Sequence, residues 1–331
     1  MLIWHPALVF MAVRKRKRTV QKKLIKKKAP KNTGSKSKIF TASVYTNLKD
    51  GHLPLKLVKV IQALEKSLKK KVFMVIQNGK SPYGQLDETL IQRLRKEVDN
   101  IPRELALLID SPGGYAIDAY RLSALLRKAS PKYLALVSRY AKSAATLVVL
   151  GAGQIMLGSF GELGPLDAWY YDPEKEEKVS ALNEVQALER LHAFSLEAID
   201  STMILLGKRA NKKISTLLPL SLDYICGLLK PIFEKIDVVH YTRSSRVLLA
   251  AEEYATRLLS GRYSKKRAAV IARHLTEMYP EHGFSIDIEE AKRIDANLVV
   301  APSEEQDAIM KKIVEYLESD ITIIGTIEEA K

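Results

Sequence analysis

Cysteine is almost missing from this 331-residue chain: there is one, Cys226. A single thiol excludes an intramolecular disulfide framework and any cysteine-based zinc cluster, and it fits a reducing, cytoplasmic setting. Within the apolar run Leu222–Leu229 it reads as a buried, inert thiol and not as a nucleophile. Long hydrophobic runs are scarce too. Leu2–Val13 is apolar apart from His5, but twelve residues fall short of the roughly 20 needed to cross a bilayer. Its charges follow the apolar stretch, which reverses signal-peptide order. No other segment approaches 18 uninterrupted apolar residues, so the body is expected to be soluble, with membrane association left to its basic leader.

Acid is missing from one place only. Residues 1–38 hold 13 Lys and Arg and no Asp or Glu, leaving 40 basic against 38 acidic residues over 39–331. The net charge of +15 is therefore mostly a tail, residues 14–38, on a nearly neutral body. Such a segment has too little apolar surface to fold alone. It could contact an anionic membrane surface or nucleic acid, or serve only as a solvated leader.

Ligand fingerprints are also lacking. Gly79-Lys80-Ser81 has no phosphate-loop context, Gly151-x-Gly153 follows a helix, and neither His-x-x-x-His nor a cysteine pair occurs. No cofactor and no metal are expected.

What is present alternates. Leu53–Lys71 has helical periodicity, Val72–Gln77 reads as a strand, and Asp87 caps a helix running to about Asn100. Strands at Leu105–Asp110, Tyr133–Ser138 and Gln154–Leu157 are separated by helices at Ala116–Lys128 and Ala144–Ala152. Strands spaced by single helices predict βα units and a parallel sheet, hence an α/β fold. Beyond Asp167 the chain turns helical: a charged loop at 172–178, then Asn183–Leu206, Leu217–Leu229, Ser244–Ser260 and Ser264–Tyr279. A helical insertion over 172–245 in one domain spanning 39–331 is the expected layout, closed by a helix at Ser303–Ser319.

Two turns follow strands and precede helices, at the sheet edge where α/β proteins bind ligands: Asp110-Ser111-Pro112-Gly113-Gly114 and Ala141-Lys142-Ser143-Ala144-Ala145-Thr146. Adjacent glycines let backbone N–H groups approach a ligand. A serine opening a helix is either an N-cap or a nucleophile beside an oxyanion hole. A third turn, Gly161-Glu162-Leu163-Gly164-Pro165-Leu166-Asp167, carries two acids. Five tyrosines near these turns (Tyr115, Tyr120, Tyr140, Tyr170, Tyr171) suit cleft walls and core.

Taken together, the three motifs resemble the Clp protease/crotonase superfamily, and within it the serine dehydrogenase proteinase family, relatives of the Clp proteolytic subunit and signal peptide peptidase A. The resemblance is strong over 105–167, moderate over 72–104 and 246–300, and absent from the tail. It implies a Clp/crotonase-like sheet, serine peptidase activity on peptides or proteins through an acyl-enzyme at Ser143, and a homo-oligomer such as a ring or trimer. Asp167 falls at the family's acid, with Glu162 as competitor. His282, before Glu289-Glu290-Ala291-Lys292, matches the distal His except that Gly283 replaces an aromatic; His274 stands behind it. Gly113, Gly114 and Ala144 match the oxyanion-hole positions. Signal peptide peptidase A implies a competing mechanism, a Ser–Lys dyad with Lys142, Lys175 or Lys178 as base. The superfamily also admits a crotonase-like acyl-thioester enzyme or an inactive oligomeric scaffold.

Overall fold

The computed structural model describes residues 38–172, 176–317 and 320–330, which belong to one compact unit. The basic segment 14–37, the leader before it and Lys175 lie outside the described residues.

The chain begins with two short strands, β1 (Phe40–Ala42) and β2 (Tyr45–Thr46). Helix α1 (Leu55–Leu68) and strand β3 (Lys71–Ile76) follow. Then come α2 (Glu88–Lys96), β4 (Leu105–Ser111), α3 (Ala116–Ala129), β5 (Leu134–Ala141), α4 (Ala144–Leu150), β6 (Gln154–Leu157) and β7 (Glu162–Leu163). A hairpin, β8 (Trp169–Asp172) and β9 (Glu177–Ser180), occupies the expected charged loop: the consecutive aromatics Trp169, Tyr170 and Tyr171 favour extended pairing. Long helices α5 (Ala181–Ala210), α6 (Ile214–Phe233), α7 (Val238–Leu259) and α8 (Lys265–Glu277) come next. The chain finishes with α9 (Ile288–Ile294), α10 (Glu304–Val314), β10 (Ile323–Gly325) and β11 (Ile327–Glu329).

The central sheet runs β2-β10-β3-β4-β5-β6, with β7 continuing along β5. Pairs β3–β4, β4–β5 and β5–β6 are parallel. The sheet is not wholly parallel, however. β10 lies between β2 and β3 and is antiparallel to both. Its short Ile321–Gly325 run was too brief to separate from a helix end by periodicity.

Both faces of the sheet are covered, which is why its strands are apolar without alternation. Val72, Met74 and Ile76 of β3, with Ala106, Leu108, Leu134 and Leu136, pack under α1 and α10. Their neighbours Phe73, Val75, Leu107, Ile109, Ala135 and Val137 pack under α2, α3, α4, α7 and α8. The expected helical insertion has no break at 245. α7 runs through it and packs on α3, α4 and α8, so α5 and α6 are its outlying part. Cys226, expected to be buried, is exposed on α6.

Candidate active site

The Gly114 and Ser143 turns sit where strands β4 and β5 end. Asp110 and Ser111 end β4, and the chain turns at Gly113 (φ 103°) and Gly114 (φ 152°) before α3. Backbone bonds fix this turn against a neighbour: Leu86 N–H donates to the Gly113 carbonyl at 2.8 Å, and Tyr115 N–H to the Leu86 carbonyl at 2.8 Å. The β5 turn is tied to it by Lys142 N–H donating to the Ser111 carbonyl at 3.0 Å. The two turns are in close contact. A Cβ at Gly113 would stand 2.7 Å from the Lys142 carbonyl oxygen and 3.1 Å from the Ala144 nitrogen. Glycine is needed there for space as well as for φ.

Ser143 has φ 51° and ψ −123°, a conformation that L-residues rarely adopt and that costs on the order of 1–3 kcal/mol. It precedes α4, yet its side chain makes no capping hydrogen bond. An N-cap role therefore does not account for the hydroxyl. Thr146 holds the strained turn in place. Its hydroxyl lies 2.8 Å from the Ala141 carbonyl and 2.9 Å from that of Gly164, and it accepts from Gly164 N–H at 3.2 Å. Sequence reading passed over Thr146, although a lone hydroxyl within Ala144–Leu150 was its signal.

Among the described residues, neither Gly114 N–H nor Ala144 N–H is used in a hydrogen bond, whereas Gly113 N–H donates to Ser111 Oγ at 3.1 Å. Gly114, Ser143 and Ala144 line the same cleft. Of the three expected oxyanion-hole residues, Gly113 shapes the turn and the other two offer N–H groups.

His282 comes from the loop between α8 and α9. Leu163 and Ile286 exchange backbone hydrogen bonds of 2.9 and 3.1 Å, and Leu166 N–H donates to the Leu275 carbonyl at 2.7 Å. These clamps set His282 Nδ1 2.5 Å from Asp167 Oδ1. Asp167 is 3% exposed and also accepts from Trp169 Nε1 at 3.2 Å. A carboxylate only accepts, so Nδ1 is the donor in this contact, and in the neutral imidazole that tautomer leaves the lone pair on Nε2. Trp169 lies beside the imidazole, ring centroids 5.1 Å apart. Sequence reading missed Trp169 as well; an indole two residues from an acid carries no local signal.

The competing candidates are placed elsewhere. Glu162 Oε1 takes Lys142 Nζ at 2.7 Å, and Glu162 also accepts from Ser285 Oγ. Lys142, the candidate dyad base next to Ser143, is 19% exposed in this ion pair. His274 packs edge-on against Tyr279, 5.5 Å between centroids. Lys178 lies on β9.

Ser143 and His282 line one cleft of about 1330 Å³. Its walls include Trp169, Tyr170 and Tyr171, and Val238, Arg243 and Tyr254 of α7. A serine hydroxyl, an imidazole oriented by a buried carboxylate, and two free backbone donors in one apolar cleft can carry out acyl transfer.

No family model matches the chain. It is similar to two uncharacterized proteins of Methanocaldococcus jannaschii. One is 20% identical over 62% of this chain and 55% of its own length; the other is 22% identical over 73% and 67%. The chain thus spans about half the length of the first of these curated relatives.

Proposed function

We propose that the protein is a serine peptidase of Clp/crotonase type, allied to the serine dehydrogenase proteinases, acting on peptide or protein substrates as a homo-oligomer. The observation that carries this reading is the 2.5 Å His282–Asp167 contact in a cleft that also holds Ser143. In the proposed reaction His282 Nε2 takes the Ser143 proton as Oγ attacks the scissile carbonyl. Gly114 and Ala144 N–H groups hold the oxyanion. His282 then protonates the leaving amine, and water hydrolyses the acyl-enzyme by the same route. Asp167 keeps the imidazole in the right tautomer, and Trp169 keeps Asp167 in place.

A Ser–Lys dyad is disfavoured at Lys142, whose ammonium is engaged by Glu162. Labelling with a fluorophosphonate tests the proposal. The reagent should add once, at Ser143, and Ser143→Ala should remain unlabelled. Failure of the native protein to react would refute the nucleophile.

A further inference from the structure

We propose that the α5–α6 hairpin is a docking surface for an anionic lipid bilayer, with α6 lying along the interface. α6 packs on α5 through one stripe, Leu217, Ser221, Ile225 and Leu229, each four residues from the last. A helix at a water boundary carries polar residues opposite such a stripe. Here Ile214, Leu218, Leu220, Leu222, Leu228 and Ile232 occupy the open faces, and Ile214 is 71% exposed. Among the described residues, α6 is the one helix long and apolar enough to cross a membrane, with mean hydropathy 1.3 over a window only 22% buried. An apolar surface of this kind is rarely left facing water.

Charge identifies the occupant. Lys208, Arg209, Lys212 and Lys213, all exposed, crowd the turn before α6, and Lys230 and Lys235 stand at its other end. Residues 201–236 hold only two acids, Asp223 and Glu234, and Glu234 lies 3.9 Å from Lys230. Apolar side chains flanked by cations match the boundary between acyl chains and anionic headgroups, which attract Lys and Arg. The hairpin lies on the bilayer and does not cross it. α5 carries Glu197, Asp200, Lys208 and Arg209 along its outer half, and α7 returns the chain to the body over α3 and α4. The inference does not depend on the peptidase reading.

Cys226, the single cysteine, is exposed on α6 and accepts an environment-sensitive fluorophore in the full-length protein. Vesicles of phosphatidylcholine mixed with phosphatidylglycerol should shift its emission to the blue. Spin-labelled acyl chains should quench it, and phosphatidylcholine alone should act weakly. Leu218→Glu with Leu222→Glu should lower vesicle partitioning at least about tenfold. Reversing Lys208, Arg209, Lys212 and Lys213 to Glu should do the same and remove the dependence on salt. Vesicle binding without a response at Cys226, which would mean that the basic tail holds the protein there, overturns the proposal. So does a blue shift that follows protein concentration and ignores lipid, because the face would then be covered by a second copy. Should the Glu variants misfold, the labelled native protein alone decides.

Discussion

His282 Nδ1 rests 2.5 Å from Asp167 Oδ1 across a sequence separation of 115. The contact depends on the paired backbone bonds between Leu163 and Ile286, which draw the loop after α8 onto the loop after β7. The proposed base is thus carried by the C-terminal half, and the proposed nucleophile by the β5 turn.

If the triad works as a unit, its members are not additive. Ser143→Ala, His282→Ala and Asp167→Asn should each reduce turnover severely. The triple variant should cost little more than Ser143→Ala alone. His274→Ala and Lys142→Ala, assayed alongside, should retain far more activity than His282→Ala. Turnover of His282→Ala at the native level would remove histidine from the mechanism.

The strain at Ser143 has an equilibrium signature. Ser143→Gly relieves φ 51° and should raise stability by about 1 kcal/mol, seen as a higher thermal midpoint, while abolishing acylation. Ser143→Ala keeps the strain and should unfold near the native temperature. Equal midpoints for the two variants would show that the turn is not strained.

Gly114 is more constrained than its motif suggests. Any Cβ there falls on the backbone of Leu86, so a larger residue must displace the Leu86–Tyr115 hydrogen bond as well as the N–H donor. Gly114→Ala should therefore reduce turnover on the order of 100-fold or more and also lower the thermal midpoint. A midpoint unchanged from the native protein would show that Leu86 yields freely.

Trp169→Phe keeps the ring beside His282 but removes the donor to Asp167. A hydrogen bond to a charged group contributes about 1.5–3 kcal/mol. The variant should lower kcat about tenfold or more with little change in KM, since the indole acts through Asp167. A change confined to KM would place Trp169 in substrate binding instead.

Beneath the site, Arg139 pairs with buried Asp110, Nη2 to Oδ1 at 2.5 Å, and donates to the Leu317 carbonyl. Burial outweighs the guanidinium and pushes the Asp110 carboxyl above its ordinary range. Arg139→Met strands that carboxylate and should destabilise by about 3–5 kcal/mol. Adding Asp110→Asn should recover part of the loss in a denaturant titration.

The βα framework could be read from residues 53–157 because each element there has its own periodicity and punctuation: Asp87 caps α2, and the Val72–Ile76 and Leu105–Ile109 runs are apolar on both faces as a doubly covered sheet demands. Ser143 and Gly114 stand out through local turn chemistry, whereas Asp167 and His282 are singled out only by the family resemblance. The supports could not be named. Thr146 and the Glu162–Lys142–Ser285 group act through partners distant in sequence, Trp169 donates to an acid two residues away in no recognisable local pattern, and β8–β9 and β10 are too short to carry a period.

Strand β10 threads residues 323–325 between β2 and β3, and β11 pairs with β1. During synthesis the cleft residues, up to His282, leave the ribosome well before this filler strand does. Until then β3 presents a bare, apolar edge of the kind that captures strands from other chains. The last strand of the sheet to be made is thus the one that covers β3, and a chain stopped short of residue 323 should aggregate even though every residue of its cleft has been synthesised.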